Sequence, residues 1–359
     1  MKGRRAPYHS GVAVTPGLEG RRPRLTEVAA RAGVSLGTVS NVLNHPQRVT
    51  PGTRAKVQSA IEELGFTRND VASALARGDT RTIGLVVVDL SNSLFVDIAR
   101  GAQRIARQED RYLQLATAEN DNALLHAHMA VMTGSHVSGL VIAPMEDPAE
   151  AVDRARRVGC PVVVLNYDSA DHDSCRVLID NEQVGYLAAS HLIGLGRRRI
   201  VFAGGRDTLQ PVARRRRGIA RAVAEANGAV RLEEFDADTL EPAAGVEIAR
   251  MLAMRDPEDR PDAVIGVSDL IAMAVTSEFR SLGIRLPEDV AVMGCDHNSA
   301  AWGGAVPLTS VTMEGAAMGA EGVRLLLREM TEPPETHVHS TVLLEPRLLP
   351  RESTVGRPR

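Results

Sequence analysis

Residues 25–44 read Leu25-Thr-Glu-Val-Ala-Ala-Arg-Ala-Gly-Val-Ser-Leu-Gly-Thr-Val-Ser-Asn-Val-Leu-Asn44, and their pattern decides the N-terminal fold. Thr26 can cap a helix through Glu27-Val28-Ala29-Ala30-Arg31-Ala32, and Gly33 ends it as a left-handed residue should. Ser35 can cap a second helix from Leu36 to Leu43, with Val39 and Leu43 on one face. Val28, Ala29, Val34, Val39 and Val42 are small and apolar, as close packing of two helices requires. Two helices joined by a glycine-containing turn form a helix-turn-helix, which lays its second helix in the major groove of DNA. Ser35, Thr38, Ser40, Asn41 and Asn44 carry the polar groups that would reach phosphates or base edges. Pro46 and Pro51 bracket a loop. Thr50 can then cap a third helix, with Ala55, Ile61 and Leu64 as buried candidates and Gly65 as its end.

Working outward, the 359 residues exceed what one core ordinarily holds, so two or three domains are expected. The net charge of −3 conceals an asymmetry. Through Arg81 there are 13 Lys and Arg against 6 Asp and Glu, a net of +7, which leaves −10 for the rest. A basic head on an acidic body points to a polyanionic partner for the head. Residues 1–23, rich in Gly, Pro and Arg and without periodicity, read as a disordered basic arm. Such an arm alone would also make the head basic, but the patterned helices argue for more. No apolar run reaches the roughly 18–20 residues of a membrane span. The N-terminus lacks the apolar region of a secretory signal. Cys160, Cys175 and Cys295 are odd in number and far apart, which fits a reducing cytoplasm rather than a disulfide framework.

After Arg81 the texture changes. Thr82-Ile-Gly-Leu-Val-Val-Val88 is a continuous apolar run, suited to a buried parallel strand. Further apolar runs lie near 112–116, 138–143, 161–165, 199–203, 262–267 and 289–294. They alternate with helical stretches near 94–109, 121–134, 147–158, 182–195, 212–227, 241–254, 269–282 and 314–330. This predicts right-handed βαβ units, with parallel sheets covered on both faces. It continues for about 260 residues, long enough for two doubly wound lobes with a cleft between them. In such sheets ligands bind in loops at the carboxyl ends of the strands. The organisation expected is therefore 1–23 arm, 24–67 helix-turn-helix domain, 68–81 linker, 82–350 two-lobed α/β core and 351–359 tail.

The chain resembles the LacI/GalR family of bacterial transcription regulators. The resemblance rests on L-T-E-V-A-A-R-A-G-V-S-L-G-T-V-S-N-V-L-N, V-T-P-G-T-R-A-K-V-Q-S-A-I-E-E-L-G-F and N-D-V-A-S-A-L. It continues in I-G-L-V-V-V-D-L-S-N-S-L-F, I-D-N-E-Q-V-G-Y-L-A-A-S-H-L-I-G-L-G-R-R-R-I, L-P-E-D-V-A-V-M-G-C-D and P-L-T-S-V, and spans about 25–345. It implies a helix-turn-helix headpiece, a hinge helix and a core like that of periplasmic sugar-binding proteins. It also implies a homodimer on a palindromic duplex operator, controlled by a small effector, a sugar, in the cleft.

Carried over residue by residue, the resemblance puts Leu36, Gly37 and Asn41 at base-choosing positions. Gly37 has no side chain there, and Leu36 offers apolar contact, for instance to a thymine methyl. Ser35, Thr38, Ser40, Asn44 and Thr53 match phosphate or rim positions. Asn69-Asp70-Val71-Ala72-Ser73-Ala74-Leu75-Ala76 matches the hinge helix, with Asn69, Ala72 and Leu75 as DNA contacts. Leu75 is the residue wedged into the minor groove. In the core, Leu94 and Phe95 match the pocket wall, Arg215 the ligand-clamping arginine before Gly218, and Ser268 and Asp296 polar contacts. Trp302, with Tyr167 as a weaker choice, would supply the ring that stacks on a sugar.

Other chemistries find less support. His126-x-His128 and His337-x-His339 could each pair at a metal, but no further residue completes either set at useful sequence spacing. No phosphate-cradling loop, nucleophile elbow or nucleophile-base spacing appears. The expectation is a regulator without metal, cofactor, catalytic residues or membrane attachment. A secreted solute-binding protein would need a signal peptide and no headpiece. An enzyme would need a catalytic constellation. A phosphorylated sugar, a nucleobase or no ligand at all stays open for the cleft.

Overall fold

A computed structural model describes residues 23–66, 80–135, 137–168, 174–237, 239–297, 306–333 and 335–356. The chain divides into a helical unit, described over 23–66, and an α/β unit, described from Thr80 onward.

The helical unit holds α1 (Leu25–Ala32), α2 (Leu36–Asn44), a 3-10 turn (Pro46–Arg48) and α3 (Pro51–Leu64). Gly33 and Gly65, at φ 65° and 60°, end α1 and α3 in the left-handed region. Ser35 caps α2, its hydroxyl accepting from the Thr38 amide at 3.1 Å. Val28, Ala29, Val39, Val42, Val57 and Ala60 form a small core. Two expectations are corrected. Thr26 lies within α1; the cap position is Arg24, whose amide donates to the Glu27 carboxylate at 3.1 Å. Ala55 is exposed, because α3 turns the face of Val57, Ala60, Ile61 and Leu64 inward, and Ala55 lies about 200° from Val57 around that helix.

The α/β unit has two lobes, each built on a six-stranded sheet. The first contains β1 (Thr82–Val87), α4 (Ser93–Gln108), β2 (Tyr112–Thr117), α5 (Asn122–Gly134), β3 (Gly139–Ile142), α6 (Ala149–Arg157), β4 (Val162–Leu165) and β5 (Cys175–Ile179). The second contains α7 (Asn181–Gly194), β6 (Arg199–Gly205), α8 (Gln210–Glu225), β7 (Arg231–Ala237), α9 (Pro242–Ala253), β8 (Ala263–Gly266), α10 (Asp269–Ser281), β9 (Ala291–Gly294) and β10 (Thr309–Val311). The chain then returns to the first lobe for α11 (Gly315–Thr331) and β11 (Thr341–Leu344), and ends in the second with β12 (Leu348–Leu349) and α12 (Glu352–Val355). The strand orders are β11-β5-β4-β3-β1-β2 and β12-β10-β9-β8-β6-β7. All pairs are parallel except β10 with β12, so the second sheet carries one antiparallel edge strand.

Each lobe is closed by one helix pair in backbone contact. A Cβ on Gly218 of α8 would fall 1.8 Å from the Glu182 carbonyl oxygen, and one on Gly185 of α7 would fall 1.9 Å from the Arg215 carbonyl oxygen. Gly101 and Gly319 let α4 and α11 approach in the same way. The residues expected as a tail are partly core. Ser353 and Thr354 are buried, and the Ser353 hydroxyl donates to the Val292 carbonyl at 2.6 Å. A four-residue helix has too few positions to show periodicity, which is why the sequence pattern stops short of it. Among the described residues no helix is long and apolar enough to cross a membrane.

Candidate functional site

In the helical unit, α2 buries Val39 and Val42 and leaves Leu36, Gly37 and Asn41 exposed. Leu36 keeps 47% of its surface and is free to make an apolar contact. Ser40, Thr38 and Thr53 are half-buried. The Ser35 and Thr38 hydroxyls lie 2.9 Å apart, and those of Thr50 and Thr53 3.0 Å apart, both at helix starts. Thr50 holds the N-cap position of α3, but its hydroxyl accepts from no helix amide, so the expected side-chain cap is not formed. A helix start with outward amides and hydroxyls is a phosphate-binding geometry. Asn44 is the last residue of α2. Asn69, Ala72, Leu75 and Trp302 lie outside the described residues.

In the α/β unit the carboxyl ends of both parallel sheets face one cleft. Its inner part is lined by Asn92, Phe95, Asn166, Arg215, Ser268 and Asp296, among others, around a narrow cavity of about 50 Å³. A wider cavity of about 250 Å³ adjoins it, sharing Val88, Asn120, Met145 and Leu240.

Arg215 is 5% exposed and points inward from α8. Its Nε donates to Asn181 Oδ1 at 3.0 Å, Nη1 to the Val267 carbonyl, and Nη2 faces Met313 Sδ at 3.4 Å. Asp296, 2% exposed, follows β9 and lies with Oδ1 3.8 Å from Arg215 Nη1. The Asp269 amide donates to its Oδ2 at 3.3 Å, and Asn92 Nδ2 donates to the same oxygen at 3.1 Å from the other lobe. Burial pushes the Asp296 carboxyl up to about 6, against the pull of Arg215 and these donors. The adjacent Cys295 thiol is pushed up to about 12 by burial and stays protonated. Ser310 holds this corner, accepting from the Asp296 and His297 amides at 3.2 and 2.9 Å and donating to Asp269 Oδ1 at 2.6 Å. The result is one buried acceptor, one buried cation and a ring of amides, suited to a polar ligand rich in hydroxyls.

Leu94 and Phe95 are buried and line the cleft wall. Ser268 lines it too, while capping α10 with its hydroxyl on the Ile271 amide at 3.3 Å. Of the four successive arginines, Arg215 alone turns inward. Arg214 pairs with Asp168 at 2.7 Å, Arg216 with Glu234 and Asp207 at 2.9 Å each, and Arg217 is exposed. Tyr167 is not among the lining residues. The asparagines were missed by sequence reading. Asn166 and Asn120 line the cleft in left-handed conformations, at φ 56° and 60°, which asparagine tolerates better than most residues. Asn181 donates to Asn166 Oδ1 at 2.8 Å while holding Arg215. Asn120 and Asn166 follow strands β2 and β4, and asparagine just after an apolar run was the available signal.

The expectation that nothing joins His337 and His339 in a metal-binding set is corrected. The fold brings Cys175 and Glu329 to them, with all four donor atoms within 4.8 Å of one another. Cys175 is 154 or more residues distant in sequence from the other three, so no local spacing reveals it.

The chain matches the family model for bacterial regulatory proteins of the lacI family over residues 24–69, and that for periplasmic binding protein-like domains over residues 189–354. It is 33% identical over 353 residues to the HTH-type transcriptional regulator CelR of Thermobifida fusca, covering 93% of this chain and 98% of that protein. It is 28% identical over 331 residues to the HTH-type transcriptional repressor PurR of Mannheimia succiniciproducens, at 92% and 98% coverage. Among solved structures, a CelR–cellobiose complex matches at a TM-score of 0.65 and 31% identity, with 92% of this chain and 100% of that chain covered. A lac repressor dimer bound to operator matches at a TM-score of 0.76 and 22% identity, with 93% and 99% covered. With a headpiece, a two-lobed core and near full-length coverage by relatives above 30% identity, the chain belongs to the LacI family of DNA-binding bacterial transcriptional regulators.

Proposed function

We propose that this regulator is a cytoplasmic repressor that binds a palindromic operator as a homodimer and is controlled by a sugar in the interlobe cleft. The DNA contacts assigned to it are Leu36, Gly37 and Asn41 at base edges and Ser35, Thr38, Ser40, Asn44 and Thr53 at phosphates. Residues 68–81, with Asn69, Ala72 and Leu75, connect the two functions. The observation that carries the ligand half is the buried Asp296–Arg215 pair reached by Asn92 from the opposite lobe. A hydroxylated ligand can donate to the carboxylate and accept from the guanidinium, and replacing the Asn92 contact would let it change how the lobes meet. A ligand shifts DNA affinity only by binding the competent and incompetent states differently. The bound cellobiose of the CelR structure makes disaccharides the first ligands to try.

The test has two arms. A thermal-shift screen of mono- and disaccharides, including cellobiose, should raise the melting temperature, since a ligand specific to the native state stabilises it. Asp296→Ala and Arg215→Ala should each weaken the best ligand by roughly tenfold or more, about 1.4 kcal/mol. Unchanged affinity in both removes them from the site. For DNA, binding to an inverted-repeat operator should fall steeply with salt, each phosphate contact adding about −0.9 to the log–log slope. A chain lacking residues 1–81 that still bound operator would overturn the assignment.

A further inference from the structure

Four side chains that gene regulation does not use meet where the parallel strands of the first lobe begin, the end remote from the cleft. Cys175 opens β5, Glu329 stands in the last turn of α11, and His337 and His339 lie in the segment leading into β11. Cys175 Sγ is 3.4 Å from His337 Nε2 and 3.7 Å from His339 Nδ1. Glu329 Oε2 is 3.9 Å from that nitrogen of His337 and 4.0 Å from that of His339. Cys175 is fully buried, and the side chains of His337 and Glu329 are 4% and 10% exposed.

These distances have a specific meaning. Zinc bonds of about 2.3 Å to sulfur and about 2.0–2.2 Å to nitrogen and oxygen place tetrahedral donors roughly 3.4–3.6 Å apart. Four of the six separations lie within about 0.4 Å of that range, and all six lie within 4.8 Å. The outer contacts orient the donors as well. Glu332 Oε2 is 2.7 Å from His337 Nδ1, and a hydrogen held there leaves the Nε2 lone pair facing the cluster. Arg156 Nη2 donates to Glu329 Oε1 at 2.8 Å, which turns Oε2 toward the histidines.

We propose that Cys175, Glu329, His337 and His339 bind one divalent metal ion of the zinc class in a closed, four-coordinate site. One thiolate, two imidazoles and one carboxylate suit zinc, whereas magnesium and calcium require oxygen donors. The charges balance, because thiolate and carboxylate together neutralise a dication. Cys175 releases its thiol proton to solvent on binding. His339 binds through Nδ1, so Nε2 keeps its hydrogen, and Arg156 Nη1, now 3.2 Å from Nε2, turns away while retaining Glu329. All four positions come from protein, so the ion fastens structure rather than activating a substrate. It ties the end of α11 and its following segment to β5, alongside which β11 is the edge strand.

The test uses the full-length chain stripped with a chelator. Titration with Zn²⁺ against a chromophoric chelator should show one equivalent bound per chain. Co²⁺ should give intense tetrahedral d–d bands and a thiolate charge-transfer band. Cys175→Ser should abolish that charge-transfer band, and His339→Gln should weaken Zn²⁺ by more than about 100-fold, beyond the 10–100-fold typical of an outer-shell residue such as Glu332→Gln. Cys160→Ser and a His126→Gln/His128→Gln double variant should bind as the parent does. No stoichiometric Zn²⁺, a weak octahedral Co²⁺ spectrum, or an undiminished charge-transfer band in Cys175→Ser would overturn the site and leave a hydrogen-bonded thiol–imidazole network. Should Cys175→Ser not fold, the parent Co²⁺ spectrum and His339→Gln, altered at the most exposed of the four ligands, still decide.

Discussion

Asp296→Asn should make the protein more stable at neutral pH, by an amount that grows with pH. Burial raises the Asp296 carboxyl from 3.8 to about 6 in the folded state. A shift of about two units corresponds to about 3 kcal/mol. The folded state therefore holds this proton more tightly than the unfolded state does. Between about pH 4 and 6 the stability contributed at this site falls as pH rises, and above that window the whole deficit is present. Asparagine keeps the shape without the charge. The variant should match the parent near pH 4 and exceed it by up to about 3 kcal/mol at pH 7. A rival effect acts in the other direction, since removing one member of a buried ion pair typically costs about 3–5 kcal/mol. Here Arg215 keeps Asn181, the Val267 carbonyl and Met313, and its 3.8 Å separation from Asp296 is long for a bonded pair. Desolvation should win. Urea denaturation of both proteins from pH 4 to 7.5 gives the difference directly, with the other carboxylates cancelling. If the parent gains on the variant as pH rises, Arg215 outweighs desolvation and the reasoning fails. A more stable variant that has lost its sugar response would mark Asp296 as a charge retained at a cost in stability.

Three further outcomes follow from packing and caps. Gly218→Ala should lower the melting temperature by several degrees, because its Cβ would fall 1.8 Å from the Glu182 carbonyl oxygen, and overpacking costs about 1–3 kcal/mol. Ser35→Ala should weaken operator binding without altering sugar affinity, since the lost cap costs about 1 kcal/mol at the start of α2; calorimetric titration with each ligand separates the two. Ending the chain after Pro350 removes the Ser353 bonds to Val292 and Thr309 and the Thr354 bond to His191, and denaturation should show a loss of about 2 kcal/mol or more.

The helices were legible because their signal is periodic over many residues. Gly33, Ser35 and Gly65 stand where their chemistry placed them. Buried strands such as β1 and β3 were legible as continuous apolar runs. The edge strand β2 falls on the run read near 112–116, whereas β5, β7, β10, β11 and β12 were not legible. Arg231-Leu-Glu-Glu-Phe-Asp-Ala237 forms the edge strand β7 with charges on both faces, and β10 and β12 have three and two residues, too few for a pattern. Cys175 is legible only as a cysteine, because the helix and segment that bring Glu329, His337 and His339 to it come from 154 or more residues later in the chain. At the cleft, Arg215 and Asp296 stand out by resemblance, whereas Asn166 and Asn181 required the fold. Their roles come from a left-handed backbone and a helix approach at Gly185 that no local pattern encodes.

Asn92 bears most directly on how the cleft works, because it does two jobs that can be separated. Its Oδ1 accepts from the Leu94 amide at 2.9 Å and caps α4, while its Nδ2 reaches Asp296 across the lobes at 3.1 Å. Asn92→Ala removes both contacts. Asn92→Ser keeps a capping hydroxyl, but serine is too short to reach Asp296. A hydrogen bond to a charged group is worth about 1.5–3 kcal/mol, so losing it should shift the closure equilibrium about 10–100-fold toward open in both variants. Only the alanine variant should also lose about 1 kcal/mol of overall stability. Spin labels at Glu119 and Glu241, exposed on opposite sides of the cleft mouth, would report the opening as a longer interlobe distance. A ligand that needs the closed state would bind both variants more weakly, in proportion to the closed fraction. An unchanged distance distribution in Asn92→Ser would show that the bridge does not hold the lobes together, and that closure rests on the apolar walls around Phe95 and Leu240.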